Sequence, residues 1–326
     1  MIVTVTPNPS IDRTVALPAA LVRGAVHRAT AVSVEPGGKG VNVARALTLA
    51  GLDTVAVLPA AEDDAFLTAL RAQRVRFHAV PVSGAVRTNL AITENDGTTT
   101  KLNEPGSGLS AADTANLTEA VLERAQFAQW VVLSGSLPPG LPDSWYSDMV
   151  NLLRPYDCKV AVDTSDAPLA ALAAGLDRAA PDLIKPNSEE LAGLAGVTAE
   201  SLETALAHGD TGPVVNASRR LLDRGVGAVL ATLGAAGAVL VDRDGAWLAT
   251  PPPVQPRSTV GAGDSALAGY VRAEINGAGP QARLQMAVAY GSAAAALPGS
   301  ALPSPAQLNL DDVVVTSVTD PREGVA

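Results

Sequence analysis

The chain has 326 residues, 47% of them hydrophobic and only 3% aromatic, so it can bury one large core built from Ala, Val and Leu rather than from rings. Its formal net charge of −10 argues against a nucleic-acid partner, which would need clustered Lys and Arg. The single cysteine, Cys158, excludes an internal disulfide and a multi-cysteine zinc site, the three scattered histidines exclude a histidine triad, and no apolar run reaches spanning length, so a cytoplasmic protein with no membrane partner is expected.

Ile2-Val3-Thr4-Val5 is a β-branched run stopped by Pro7 and Pro9, the pattern of a buried strand that ends in a loop. Asp12 follows that loop. Ligands of an open parallel sheet bind beyond the carboxyl ends of its strands, where this carboxylate could accept hydrogen bonds from sugar hydroxyls; an ordinary turn aspartate would look the same. Segment 13–35 is irregular around Pro18 and Gly24 and then alternates from Val26 to Val34, and segment 86–104 alternates polar and apolar residues around Glu94-Asn95-Asp96-Gly97, a hairpin signal. Together they predict a small β-sheet that stands apart and acts as a lid over a site.

Between them, Glu35-Pro36-Gly37-Gly38-Lys39-Gly40-Val41-Asn42 leads into a helix with Val43, Ala46, Leu47 and Ala50 on one stripe and Gly51 as its stop. Gly38 permits close approach of a ligand, Lys39 offers a charge and Asn42 an amide. The spacing fits neither the phosphate loop of nucleotide hydrolases nor the dinucleotide G-x-G-x-x-G, so a substrate loop is expected, with a purely structural turn as the other reading.

Downstream, strand and helix signals alternate: 54–58 then 65–70, 130–133 then 145–153, 159–162 then 169–176, and Asp182-Leu183-Ile184 before a helix from about Glu189. This predicts a mostly parallel sheet with helices on both faces. Its carboxyl edge would carry Ser134-Gly135-Ser136, Asp163-Thr164-Ser165, Lys185-Pro186-Asn187 and Thr232-Leu233-Gly234. Lysine is scarce here, with only Lys39, Lys101, Lys159 and Lys185; the first two and Lys185 are candidates for work that arginine's fork cannot do, whereas Lys159 reads as the polar flank of a strand. Asn187 and Glu190 are three apart and could face one magnesium ion held partly through waters; the same pair also reads as a helix cap. Runs 228–232 and 238–241 read as paired strands, 281–296 as a closing helix, and 313–315 as a last short strand.

Ser258-Thr259-Val260-Gly261-Ala262-Gly263-Asp264-Ser265 opens another apolar-periodic segment. Two glycines before a helix start let unpaired N–H groups converge on an anion, aided by the helix dipole. A carboxylate in that ring would repel phosphate unless it serves the group attacking the phosphate, which makes Asp264 a candidate general base and the amides of Ala262 and Gly263 a phosphoryl cradle. An ordinary helix-start aspartate is the alternative.

Thr6-Pro7-Asn8-Pro9-Ser10-Ile11-Asp12, Pro36 to Ala44, Val86-Arg87-Thr88-Asn89, Ser134 to Pro138, Lys185 to Glu190 and Ser258 to Ser265, in this order, resemble the phosphofructokinase-B branch of the ribokinase-like sugar kinases. The resemblance implies a ribokinase-like three-layer α/β fold over 1–326, with a mostly parallel central sheet flanked by helices and the small β lid. It implies ATP and Mg2+, with Asp264 as base and Gly261, Ala262 and Gly263 as anion hole. Lys185, Asn187, Thr232, Gly234, Ser258 and Gly263 would hold the nucleotide, and Asn187 and Glu190 the metal. The opening motif and Arg87 look like the members that act on phosphorylated ketohexoses. Fructose 1-phosphate is then the expected acceptor, at its C6 hydroxyl, with tagatose 6-phosphate and fructose 6-phosphate as alternatives. Asp12, Gly38, Lys39, Asn42, Arg87, Asn103 and Ser136 would bind the sugar phosphate, Lys39 and Arg87 as its cationic anchors. Family lids pair between subunits, so a homodimer through the lid is expected. A sugar-phosphate sensor without turnover is the rival of another class.

Overall fold

The computed structural model of the protein describes residues 1–318, apart from the side chains of Glu203 and Ala207; positions 319–326, the end of the span expected to form the domain, lie outside them. The chain opens with β1 (Ile2–Val5), buried at all four positions, as a β-branched run covered on both faces should be. β2 (Ser10–Ala16) and β3 (Ala31–Gly37) then leave the main sheet, α1 (Lys39–Leu49) returns to it, and β4 (Thr54–Ala60) pairs with β1 in parallel. After α2 (Ala65–Ala72) and β5 (Phe77–Pro81), the chain goes out again as β6 (Arg87–Thr93) and β7 (Thr99–Asn103).

Alternation resumes with α3 (Ala111–Ala125), β8 (Trp130–Ser134), α4 (Trp145–Leu153), β9 (Lys159–Asp163), α5 (Asp166–Gly175) and β10 (Leu183–Ile184). Helices α6 (Ser188–Ala195), α7 (Ala199–Ala207) and α8 (Gly212–Leu222) precede β11 (Ala228–Thr232), then the hairpin β12 (Ala238–Asp242) and β13 (Gly245–Thr250). The fold closes with α9 (Ala262–Ile275), α10 (Pro280–Ala295) and β14 (Val314–Ser317). Among the described residues the main sheet has ten strands in the order β14-β13-β12-β11-β10-β9-β8-β1-β4-β5, parallel from β11 to β5 and antiparallel beyond.

Side-chain alternation along the strands builds the layers. In β8, Val131 and Leu133 point into a core shared with α3, α4 and α5, while Trp130 and Val132 point into the one beneath α1, α9 and α10. The three-layer, mostly parallel arrangement expected from the alternating signals is therefore present. The helix expected at 169–176 starts earlier, at Asp166, because Pro168 is tolerated in a first helical turn. Helices α3, α7 and α8 carried no signal strong enough to be named from sequence. Among the described residues no helix is long and apolar enough to cross a membrane.

The second sheet has the order β3-β2-β6-β7. Its register puts Glu35, Asp12, Asn89 and Asn103 in one cross-strand row, with Gly37, Ser10 and Arg87 in the next row on the same face. The opposite face is mostly apolar apart from Arg13, Thr88 and Thr100, and Val32, Val34 and Leu102 are exposed on it. Residues 17–30, inside the segment expected to contribute to this sheet, form no strand.

Candidate active site

The parallel strands β1, β8, β9 and β10 all end at the same edge, and α9 starts there. The first turn of α9 is shaped by Gly261, which caps the helix at φ 77°, a left-handed conformation that costs glycine nothing. The N–H of Ala262 makes only a long 3.4 Å turn contact with the Thr259 carbonyl, and the first regular helical bond is Ser265 N–H to Gly261 at 2.8 Å. Among the described residues the backbone N–H groups of Gly263 and Asp264 therefore have no acceptor, and they sit at the positive end of a fourteen-residue helix.

Asp264 lies inside that ring, only 7% exposed. Its Oδ2 accepts a 2.9 Å hydrogen bond from Nδ2 of Asn42 on α1. Burial, and then the charge of Asp163, push its carboxyl up to about 6, against the opposing pull of Lys39, Asn42 and Lys185. A carboxylate poised there titrates close to neutral pH, which suits a general base.

Asp163, at the end of β9, is the residue that organises the cations. Its Oδ1 accepts from Lys39 Nζ at 2.9 Å, and its Oδ2 lies 3.1 Å from Lys185 Nζ. Burial alone would raise this carboxyl; the two ammonium groups overrule it and hold it below the usual carboxylate range. Burial would lower the Lys39 ammonium, but Asp163, joined by Asp264 and Glu190, outweighs it and keeps that ammonium charged. Lys39 stays one-third exposed, whereas Lys185 is almost fully buried. A Cβ built at Gly263 would lie 3.1 Å from Lys185 Nζ, so a glycine here lets the ammonium sit beside the free amides.

A cavity of about 730 Å³ runs from this cluster between α6, β11 and α10; Thr232, Gly234, Asn187, Glu190, Lys39 and Lys185 are among its lining residues. Asn187 and Glu190 form a reciprocal cap at the start of α6: Asn187 N–H donates to Glu190 Oε2 at 2.9 Å, and Glu190 N–H to Asn187 Oδ1 at 2.8 Å. The helix-cap reading is therefore present, and it uses only one carboxylate oxygen of Glu190. Burial raises the Glu190 carboxyl, a cost that a nearby cation would relieve. Among the described residues no cluster of three or more His, Cys, Asp or Glu gathers, so an ion at Glu190 would draw most ligands from water and phosphate, as magnesium does.

The remaining expected residues lie on or beside the small sheet, except Ser258. Asp12 Oδ1 accepts from Ser10 Oγ at 2.8 Å and from Asn89 Nδ2 at 3.1 Å, and a Cβ at Gly37 would collide with its carboxylate. Ser136 Oγ accepts from Asn8 Nδ2 at 3.2 Å and Arg87 Nη2 at 3.4 Å, while Arg87 Nη1 donates to the Glu104 carbonyl. Gly38, at φ 104°, caps α1. Asn103 is exposed at the end of the Asp12–Asn89 row. The Ser258 hydroxyl accepts from Val260 N–H and shapes the turn before α9. Lys39 and Arg87, expected as a pair, are thus held by different partners: Lys39 by Asp163, Arg87 by Ser136 and a carbonyl.

Sequence reading placed Asp163 in a polar loop but gave it no task, and it gave Asn8 none either. A lone acidic residue ending a buried strand between two strand-end lysines was the available signal for Asp163.

The chain from residue 5 to 307 matches the model of the pfkB family carbohydrate kinases. It is similar to the 1-phosphofructokinase of Rhodobacter capsulatus, 36% identical over 314 residues that cover 94% of each chain. The 1-phosphofructokinase of Xanthomonas campestris is 36% identical over 279 residues, 85% of each chain. Among solved structures it resembles phosphofructokinase-2 of Escherichia coli in complex with substrates and products, with a TM-score of 0.85 and 31% identity over 94% of this chain and 96% of that one. The chain therefore belongs to the pfkB family of carbohydrate kinases, as a phosphotransferase with a hydroxyl acceptor, small-molecule substrates and ATP as phosphoryl donor.

Proposed function

We propose that the protein transfers the γ-phosphate of ATP to the C6 hydroxyl of fructose 1-phosphate, giving fructose 1,6-bisphosphate. The observation that carries this reading is the buried Asp264 carboxylate, set beside unpaired amides and within the field of the Lys39 and Lys185 ammonium groups, at one end of a cavity of about 730 Å³. Its relatives named 1-phosphofructokinase favour this acceptor over fructose 6-phosphate, and the likeness to phosphofructokinase-2 keeps the latter as the second reading.

In this mechanism Asp264 accepts the hydrogen bond of the attacking hydroxyl, fixes its line of approach and takes its proton as the new P–O bond forms. The amides of Gly261 to Asp264 bind the oxygens on which charge builds, where they need no reorganisation. Lys185 and Lys39 bring positive charge to the same point. Asp12, Gly38, Asn42 and Asn103 hold the sugar, and Arg87 with Ser136 holds the phosphate it already carries. Thr232, Gly234 and Ser258 shape the nucleotide end. Magnesium, held by Glu190 and Asn187, would supply charge neutralisation of the nucleotide phosphates. The small sheet serves as a lid that keeps water from the transferring group. Its mostly apolar outer face, with Val32, Val34 and Leu102 exposed, is the surface through which two copies would pair.

The test compares kcat/KM for fructose 1-phosphate, fructose 6-phosphate and tagatose 6-phosphate with ATP. Fructose 1-phosphate should lead. A higher value on either 6-phosphate would reassign the acceptor, and no ATP consumption with any of them would make the chain a sensor.

A further inference from the structure

Arg45, one turn beyond Asn42 on α1, is only 7% exposed, an expensive place for a guanidinium unless its donors are all used. They are spent on four separate pieces of chain. Nε donates to Gln73 Oε1 at 2.6 Å, and Nη2 to Glu35 Oε2 at 2.8 Å. Nη1 reaches the Pro36 carbonyl at 3.0 Å, Asn42 Oδ1 at 3.3 Å and the Ser300 carbonyl at 3.5 Å. Gln73 Nε2 also donates to Glu35 Oε2, which closes a ring of three side chains.

The contact with Asn42 has a directional consequence. A primary amide has an acceptor end and a donor end that occupy nearly the same volume, so packing alone does not choose between them. Here the neighbours choose. A guanidinium has only donors, so the amide oxygen must face Arg45; the NH2 group is then turned to Asp264, to which it donates at 2.9 Å. With the amide reversed, its oxygen would face a carboxylate oxygen, and Asp264 would lose the bond that sets its rotamer. Glu35, at the other end of the guanidinium, belongs to β3 of the small sheet and stands in the row with Asp12. One unbroken chain of hydrogen bonds therefore runs Glu35–Arg45–Asn42–Asp264, from the small sheet to the buried carboxylate.

We infer that Arg45 is a positioning residue for Asp264: it acts through the amide of Asn42, and its grip on Glu35 couples the seating of the small sheet to the aim of the base. This rests on reading Asp264 as the base. Arg45 is not among the residues lining the cavity, and each of its three nitrogens already donates within the chain.

The test is a double-mutant cycle on kcat with saturating fructose 1-phosphate and ATP, using Arg45→Lys and Asn42→Ala separately and together. Lysine keeps the charge and most of the stem but cannot reach all the acceptors at once. Arg45→Lys should lower kcat by about tenfold or more, as small misplacements of a reacting group do, with both KM values within about twofold, and the loss should nearly vanish in the Asn42→Ala background. An equal loss in both backgrounds, an unchanged kcat, or an effect confined to KM would overturn the inference. Should Arg45→Lys not fold, the same cycle run with Glu35→Ala, at the one-third exposed end of the chain of bonds, decides on the same outcomes. Asp264→Asn is assayed alongside: if it keeps turnover, the base assignment has failed, whereas an inactive Asp264→Asn with an additive cycle removes only the role given to Arg45.

Discussion

Replacing Asp264 with asparagine should stabilise the protein near neutral pH. In the folded chain burial and the neighbouring Asp163 move this carboxyl from its ordinary 3.8 to about 6. A group whose folded pKa is raised lends its full stability below the unfolded value and loses it as pH rises through the folded one. The wild-type protein should therefore shed stability between about pH 4 and pH 6 on account of Asp264, and stay at that lower level above. The displacement is about two pH units; at about 1.4 kcal/mol per unit it is worth on the order of 3 kcal/mol. Asparagine keeps the shape and an oxygen for the Asn42 amide but carries no charge to desolvate. With an unfolding entropy of about 0.7 kcal/mol/K for a chain of this length, its melting temperature should lie about 4 °C above wild type at pH 8. Thermal unfolding of both proteins from about pH 4 to pH 8 reads this directly: the gap should be near zero at the acid end and open through pH 6. A gap of the same size at both ends would trace the effect to packing rather than charge. A wild type more stable than the variant at pH 8 would refute the view of Asp264 as a carboxylate held at a cost for the sake of chemistry.

Three further outcomes follow from the same geometry. Arg87→Ala should raise KM for the sugar phosphate by about ten- to a hundredfold, the worth of a charge-assisted contact, while KM for ATP changes little; equal rises for both substrates would move Arg87 out of the phosphate subsite. Gly40→Ala places a Cβ 2.6 Å from the Val5 carbonyl of β1, so it should cost about 1–3 kcal/mol in denaturant unfolding and lower kcat by shifting Asn42; an unperturbed variant would mean that α1 can slide freely. The acid limb of kcat/KM should lie near 6, where Asp264 titrates, and Asp163→Asn should move it down by removing the nearest negative charge; a limb that stays put or rises would contradict that pairing.

Most of the layered sheet could be read from the sequence because its strands are short apolar runs followed by polar loops, and Ile2-Val3-Thr4-Val5 and Trp130-Val131-Val132-Leu133 need nothing else to declare themselves; β5 and β13, which lack such a run, could not. The glycines ahead of α1 and α9 were also legible: Gly38 and Gly261 are demanded by positive φ, a local property. What escaped is what depends on two distant segments meeting. Asp163 looks like any strand-end aspartate until β9 is placed next to the ends of β10 and α1, when it becomes the shared partner of Lys185 and Lys39. Arg45 falls among apolar residues of α1 as a helix-compatible side chain, and its partners Glu35, Gln73 and Ser300 come from elements no local pattern connects to it. Asn187 and Glu190 carried a signal for both a cap and a metal site, and the structure contains the cap while leaving one carboxylate oxygen outside it.

The most direct test of the account is the turnover of Asp264→Asn with fructose 1-phosphate and ATP, measured on protein whose thermal unfolding shows it to be folded. Loss of kcat by about a thousandfold or more, with both substrates still bound, is the result expected of a group that orients the attacking hydroxyl and takes its proton. Turnover within a few-fold of wild type would contradict it, since the amides and lysines around that carboxylate would then be sufficient without it.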